Sequence, residues 1–156
     1  MTQPQTIYGL ARIVFCARTQ RYLLVIEEEA KELSDKESWT AGPPAETLDT
    51  GESPEKASLR CGEEEIGLRN LEGLVHVLIP EPVSYTYTSG RIAVCYVAYT
   101  IVPDEFEACG TDPQVHHFCW VAIEELFLSH VGGRKMRVET PTLIGHFLAH
   151  CKEVLV

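Results

Sequence analysis

Apolar and polar positions along the chain alternate between two periods. Residues 10–17 and 21–27 are rich in aliphatic and β-branched side chains and are separated by a short polar connection, which predicts a hairpin. Residues 28–38 are dominated by Glu, Lys, Asp and Ser, have little to bury and read as a solvated loop. Trp39-Thr40-Ala41 then runs into Gly42-Pro43-Pro44, a rigid turn that ends the preceding segment. Within residues 51–68 the pattern changes to a short helix, with Ser53 suited to the N-cap, Pro54 to the first helical position and Gly67 to the place just past the end.

Extended segments return after that helix. Residues 71–79 are apolar apart from Glu72 and His76, and residues 91–102 are almost continuously β-branched or aromatic, the pattern of a central strand buried on both faces. Between them lies a segment with Pro82, Tyr85, Tyr87 and a Ser89-Gly90 turn. If it is extended, Tyr85 and Tyr87 share a face, available either for packing on a sheet or for stacking on a base. Residues 103–113 form an acidic loop, 115–121 a further strand, 123–128 a short helix and 130–135 a loop around Gly132-Gly133. Thr140-Pro141 starts a last helix with an apolar stripe of Leu143, Ile144, Phe147, Leu148, Cys151, Val154 and Leu155. His146 and His150 have the spacing of a helical metal pair at the edge of that stripe, and His116-His117 alternate faces in a strand, but no motif surrounds either pair. This order of elements predicts an α/β fold, a mixed β-sheet covered by helices on both sides.

Composition narrows the picture. A chain of 156 residues, 45% hydrophobic, suits a single domain over 1–156 with a substantial core. No apolar run is long enough to span a membrane, and the N-terminus lacks a basic segment followed by an apolar one, so a soluble, cytoplasmic protein with no membrane partner is expected. The six cysteines contain no CxxC pair and are spaced as small buried hydrophobes. A net charge of −10 argues against nucleic acid as a partner, because binding a polyanion relies on Lys and Arg. A small phosphorylated ligand remains compatible, its charge met by a divalent metal or by Arg60, Arg12 or Arg91.

At about 100° per residue, Ala57, Arg60, Cys61, Glu64 and Glu65 share one broad face of the first helix, and Ser58, Leu59, Gly62 and Ile66 share another expected to pack. Together with Glu52, Gly67 and Leu68, this stretch resembles the signature of the Nudix hydrolase family, G-x5-E-x7-R-E-U-x-E-E-x-G-U with U a bulky aliphatic. Glu52, Arg60, Glu64, Glu65, Gly67 and Leu68 match in register; Glu46 stands for the first glycine, Cys61 for the glutamate after the arginine and Gly62 for an aliphatic. The family's W-x-x-P-G-G before the signature is replaced by a tract in which Ala45 and Glu46 follow Pro44. Extra bulk and negative charge there are expected to narrow the approach of a phosphate chain.

The resemblance implies a Nudix-like α/β/α sandwich, with Glu52, Arg60, Glu64 and Glu65 as the catalytic set. It also implies Mg²⁺ or Mn²⁺ on Glu64 and Glu65, and hydrolysis of a nucleoside diphosphate linked to another moiety. Glu52 and Arg60 would brace the loop against the helix. Carboxylates at i, i+3 and i+4 converge on one side of a helix, and here the i position is Cys61, so two of three ligands remain. Glu63 points about 160° away and does not replace it; Glu81 and Glu107 are candidate helpers that no spacing selects. The tract WVAIEEL also resembles the family, whose further glutamate before the tryptophan aligns here with Gln114. Tyr85 and Tyr87 are the candidate substrate-binding residues. The alternative to hydrolysis is an inactive protein of the same fold that serves as a nucleotide-binding or regulatory module. Small residues at Ser58 and Gly62 leave the packing face unusually bare, so either a bulky side chain from elsewhere fills the space or the helix sits closer to the sheet.

Overall fold

In the computed structural model, residues 6–30, 37–68, 73–87 and 89–155 are described. The backbone of β1 (Thr6–Cys16) runs parallel to that of β7 (Ile92–Val102) over eleven paired positions, and this pair is the centre of an eight-stranded mixed sheet. β1 turns back antiparallel into β2 (Tyr22–Glu27), the predicted hairpin, with Phe15 opposite Tyr22. β3 (Thr40–Gly42) and β8 (Val115–Val121) flank β2, while β5 (Val75–Leu78) and β6 (Val83–Thr86) both pair antiparallel with β7. After the Pro43-Pro44 turn the chain adds β4 (Ala45–Thr47), a short strand on β1 that local sequence pattern did not reveal. Residues 31–36 of the expected loop, and Leu71 and Glu72, lie outside the described residues.

The two faces of the sheet separate by period-2 alternation. Ala11, Ile13, Tyr22, Leu24, Ile26, Val97 and Tyr99 belong to one buried cluster, into which α2 (Thr140–Leu155) inserts Leu143, Ile144 and Phe147. Each of those three contributes on the order of 1.5–3 kcal/mol by leaving water. Of the predicted stripe, the side chains of Val154 and Leu155 lie outside the described residues, as does that of His117. The opposite positions, Leu10, Val14, Leu23, Val25 and Val102, face α1 (Pro54–Ile66) and its flanking loop. Both faces are apolar, which is why β1, β2 and β7 read as nearly continuous hydrophobic runs.

The expected short helix is a 3₁₀ turn, Ile123–Phe127. The expected loop at 130–135 is instead a small hairpin, β9 (His130–Val131) and β10 (Arg134–Lys135), closed by Gly132 and Gly133 with positive φ. No helix among the described residues is long and apolar enough to cross a membrane. All six cysteines are free thiols.

Candidate metal and phosphate site

Helix α1 is capped as its sequence requires. Ser53 accepts a hydrogen bond from the Lys56 backbone N–H at 3.2 Å, Pro54 opens the first turn, and Gly67 closes the helix in the left-handed region at φ 74°. The buried stripe is Ala57, Ser58, Cys61, Gly62, Glu65 and Ile66, which straddles the two faces read from the sequence. Leu59, expected to pack, is 56% exposed. The helix is rotated so that Glu65 points inward while Arg60 and Glu64 sit at the rim.

Arg60 organises the rim. Its Nε and Nη2 donate to the two carboxylate oxygens of Glu52, each at 2.9 Å, a bidentate pair, and Nη2 also reaches the Thr47 carbonyl at 3.1 Å. Its Nη1 lies 3.3 Å from Glu64 Oε2 and forms a closer ion pair with Glu46. The hydrogen bond from Arg60, helped by the Asp49 N–H, pulls the Glu52 carboxyl down to about 2. Glu52 thus remains ionised and holds the loop to the helix.

Two carboxylates reach the inner side from other elements. Glu46 lies opposite Leu10 in the β4–β1 register, and cross-strand partners point to the same face, so its side chain is aimed at α1. Asp112 is delivered by the acidic loop, which is laced to the end of α1: the Cys109 N–H donates to Ile66 O at 3.1 Å and the Asp112 N–H to Glu64 O at 2.9 Å. Gly67 and Gly110 make that approach possible, because a Cβ on Gly67 would stand 2.2 Å from Cys109 O and one on Gly110 would stand 2.1 Å from Glu64 O. Carboxylate oxygens of Glu46, Glu65 and Asp112 all lie within 4.8 Å of one another.

Burial sets the electrostatics of this group. Glu65 is only 2% exposed, and its Oε2 has no hydrogen-bond partner. Burial, then the charges of Glu27, Glu46 and Asp112, push the Glu65 carboxyl up to about 9, with Arg137 opposing. Burial and a hydrogen bond shared with Glu64 also push Glu46 up, to about 8, with Arg60 opposing. An oxygen-only donor group with Glu65 buried, Glu46 and Asp112 half-buried, and more acids than bases around it suits a hard divalent cation.

The other sequence candidates find different places. Gln114 is not in the group; its backbone N–H donates to Asp112 Oδ1 at 2.9 Å, so the carboxylate sits two residues earlier than the family alignment suggested. Neither Glu81 nor Glu107 belongs to the carboxylate group found among the described residues. Cys61 is fully buried beside Glu65 and Glu46, and burial followed by those charges raises its thiol well above the ordinary range, which leaves it an inert neutral group. Arg12, a candidate phosphate cation, is instead 0% exposed and fills the space that Ser58 and Gly62 leave. Its Nη2 bonds Ser58, with Oγ at 2.6 Å, its Nη1 bonds Thr100 Oγ1 at 2.7 Å and His76 Nδ1 at 2.9 Å, and a Cβ on Gly62 would meet its Nε at 3.2 Å. His146 Nε2 is engaged by the Glu81 carbonyl at 2.7 Å and His116 Nε2 by Glu28 at 2.9 Å.

A cleft adjoins the carboxylates. Glu46, Thr47, Tyr85, Tyr87, Arg137 and Glu139 line it, over a floor of Gly9, Ala45 and Ala93. The two tyrosine rings meet edge to face at 5.5 Å; Tyr87 is buried and Tyr85 half-buried, so both pack on the sheet while bordering the same cleft as Glu46. Arg137 lies between Glu27 and Glu139, 3.7 Å from each, and donates to the Pro43 carbonyl. Gly42 leaves room for it, since a Cβ there would stand 2.3 Å from the Arg137 Nε.

A mixed sheet between two helices, with a capped acidic helix braced by a Glu–Arg pair, defines the Nudix class of α/β/α sandwich. The family model for the NUDIX domain matches residues 8–140, and the chain belongs to the Nudix family. Solved structures share the fold: a MutT protein from Methanosarcina mazei has a TM-score of 0.70 at 14% identity, covering 97% of this chain and 99% of that one. A Nudix hydrolase from Nitrosomonas europaea gives 0.63 at 20% identity, covering 95% and 90%. The NUDIX domain of Shewanella oneidensis NrtR, complexed with ADP ribose, gives 0.65 at 12% identity, covering 96% and 90%. No curated protein sequence matches the chain significantly.

Proposed function

We propose that this protein is a pyrophosphohydrolase that works with Mg²⁺ or Mn²⁺ on a nucleoside diphosphate linked to another moiety. The observation that carries this reading is the bracing of the signature helix: Arg60 grips Glu52 through two nitrogens at 2.9 Å and touches Glu64, leaving the buried Glu65 turned toward Glu46 and Asp112 beside a tyrosine-lined cleft. The signature helix offers Glu64 and Glu65 to the cation, and Glu52 and Arg60 position them. Such a cation, when bound, neutralises phosphate charge and orients or activates the attacking water. Tyr85 and Tyr87 border the place where the organic part of the substrate lies. The 156 residues act as one domain, and we place it in the cytoplasm, where its free thiols stay reduced.

Purified protein with Mg²⁺ or Mn²⁺ is expected to release phosphate-bearing products from some member of a panel of nucleotide sugars, dinucleoside polyphosphates and nucleoside triphosphates. Glu64→Gln and Glu65→Gln should each abolish that release; turnover unchanged in both variants rules out the site.

Cys61, in place of a signature glutamate, favours a second reading: a nucleotide-binding or regulatory module without hydrolysis. A NUDIX domain solved with ADP ribose offers a parallel for binding on this fold. Under this reading the whole panel stays intact while calorimetry detects binding of one of its members.

A further inference from the structure

We propose that the divalent cation is held by Glu46, Glu65 and Asp112, so that the oxygen lost at Cys61 is supplied across the helix–sheet interface by strand β4. This rests on the metal-dependent reading above and changes its ligand set. It keeps Glu65, adds one carboxylate from the sheet and one from the acidic loop, and leaves Glu64 at the rim as a partner of Arg60.

Three independent features converge on it. The oxygens of the three carboxylates lie within 4.8 Å of one another, close enough for one ion to touch all three. Glu65 Oε2 is sealed from water and has no hydrogen-bond donor, although its residue is 2% exposed. A carboxylate oxygen in that position costs stability unless something positive meets it. Each ligand is also fixed from behind: Glu46 by its register opposite Leu10, Asp112 by the bond from its N–H to Glu64 O, and Glu65 by the capped helix.

Glu64 is the weaker candidate. Its side chain is 40% exposed, against 9% for that of Glu46, although both are paired with Arg60. Cys61 lies beside Glu65 and Glu46 without an oxygen to offer, and Glu64 touches the group only through its hydrogen bond to Glu46. The side chain that first reads as an obstruction to phosphate, Glu46, is the one that makes up the missing charge. All three donors are oxygens, which selects Mg²⁺ or Mn²⁺ over softer metals.

The test is Mn²⁺ binding to the intact chain, followed by the loss of the free-ion electron paramagnetic resonance signal. Wild-type protein and Glu63→Gln, on the outer side of α1, should bind alike. Glu46→Gln, Asp112→Asn and Glu65→Gln should each weaken binding on the order of tenfold or more, as expected when a charged ligand is removed. Anomalous scattering from wild-type crystals soaked in Mn²⁺ gives a readout that needs no variant, with a peak in contact with Glu46, Glu65 and Asp112. If Glu46→Gln and Asp112→Asn bind like wild type while Glu64→Gln and Glu65→Gln do not, the helix alone holds the ion; the proposed ligand set falls and the metal-dependent reading stands. If wild type binds no Mn²⁺, the ligand set falls as well, and the substrate panel then decides the hydrolase reading separately.

Discussion

Two polar groups are buried against the same helix, on either side of Cys61, and they are built in opposite ways. On one side Arg12 is a single cation among neutral partners, with both terminal nitrogens bonded to Ser58, Thr100 and His76. On the other, Glu46, Glu65 and Asp112 are acids in surplus; Glu46 shares Arg60 with Glu52 and Glu64, and one oxygen of Glu65 has no partner. In the first group only Nε of Arg12 lacks a partner and its charge is met by neutral acceptors; the second, made of acids alone, needs a ligand or a proton. Burial alone therefore does not mark a functional site, because Arg12 is as buried as Glu65 and serves the packing of α1 on the sheet.

The contrast is broken most severely at Arg12. Arg12→Ala should remove roughly 3 kcal/mol of stability, since it empties the space beside Gly62 and strips Ser58 and Thr100 of their donor. Urea denaturation measures the loss, and Mn²⁺ affinity of the remaining folded protein should not change. A loss of affinity without a loss of stability would mean that the two groups are one.

The carboxylate side is tested by pH. The folded Glu65 carboxyl sits at about 9, above its ordinary value, so in metal-free protein its contribution is fully favourable below pH 4.5 and is lost as pH rises through 9. Thermal melts in chelator should show stability falling across that window by on the order of a few kcal/mol. Glu65→Gln should flatten the slope, and saturating Mn²⁺ should remove most of it in wild type. An equal slope in the variant would assign the titration to other groups.

The smallest expected effect sharpens the packing side. Gly62→Ala would gain about 1 kcal/mol from helix propensity alone. The added Cβ would press on an Arg12 side chain that its bonds prevent from moving, at 3.2 Å from Nε, and a net loss of about 1 kcal/mol is expected by chemical denaturation. A net gain would show that Arg12 yields more readily than its bonds suggest.

The helix was legible because its determinants are local. Ser53, Pro54 and Gly67 act within a turn of their own positions, and the spacing of Glu52 and Arg60 is that of the pair observed. The layered sheet was legible for the same reason, since period-2 alternation and apolar runs are written within each strand. What completes the carboxylate group was not legible, because it depends on contacts between distant segments. Glu46 reaches α1 through a β4–β1 register that no local pattern announces, and Asp112 through a loop docked between Gly67 and Gly110. Arg12 was read as a candidate phosphate cation and Leu59 as part of the packing face for a related reason. Spacing along a helix gives relative angles, while the sheet decides which angle faces in.

The parallel pairing of β1 with β7 also bears on how the molecule forms. Thr6 meets Ile92 across more than half the chain, so the central ladder closes only after a large loop has lost its freedom, the kind of contact that slows folding. Glu46 and α1 lie inside that loop and Asp112 beyond it. On a growing chain the helix and its brace can form early, whereas Asp112 can join Glu65 only once residues past β7 have emerged. Assembly of the three carboxylates is thus a late event, and their mutual repulsion is deferred until the rest of the sheet is in place to bear it.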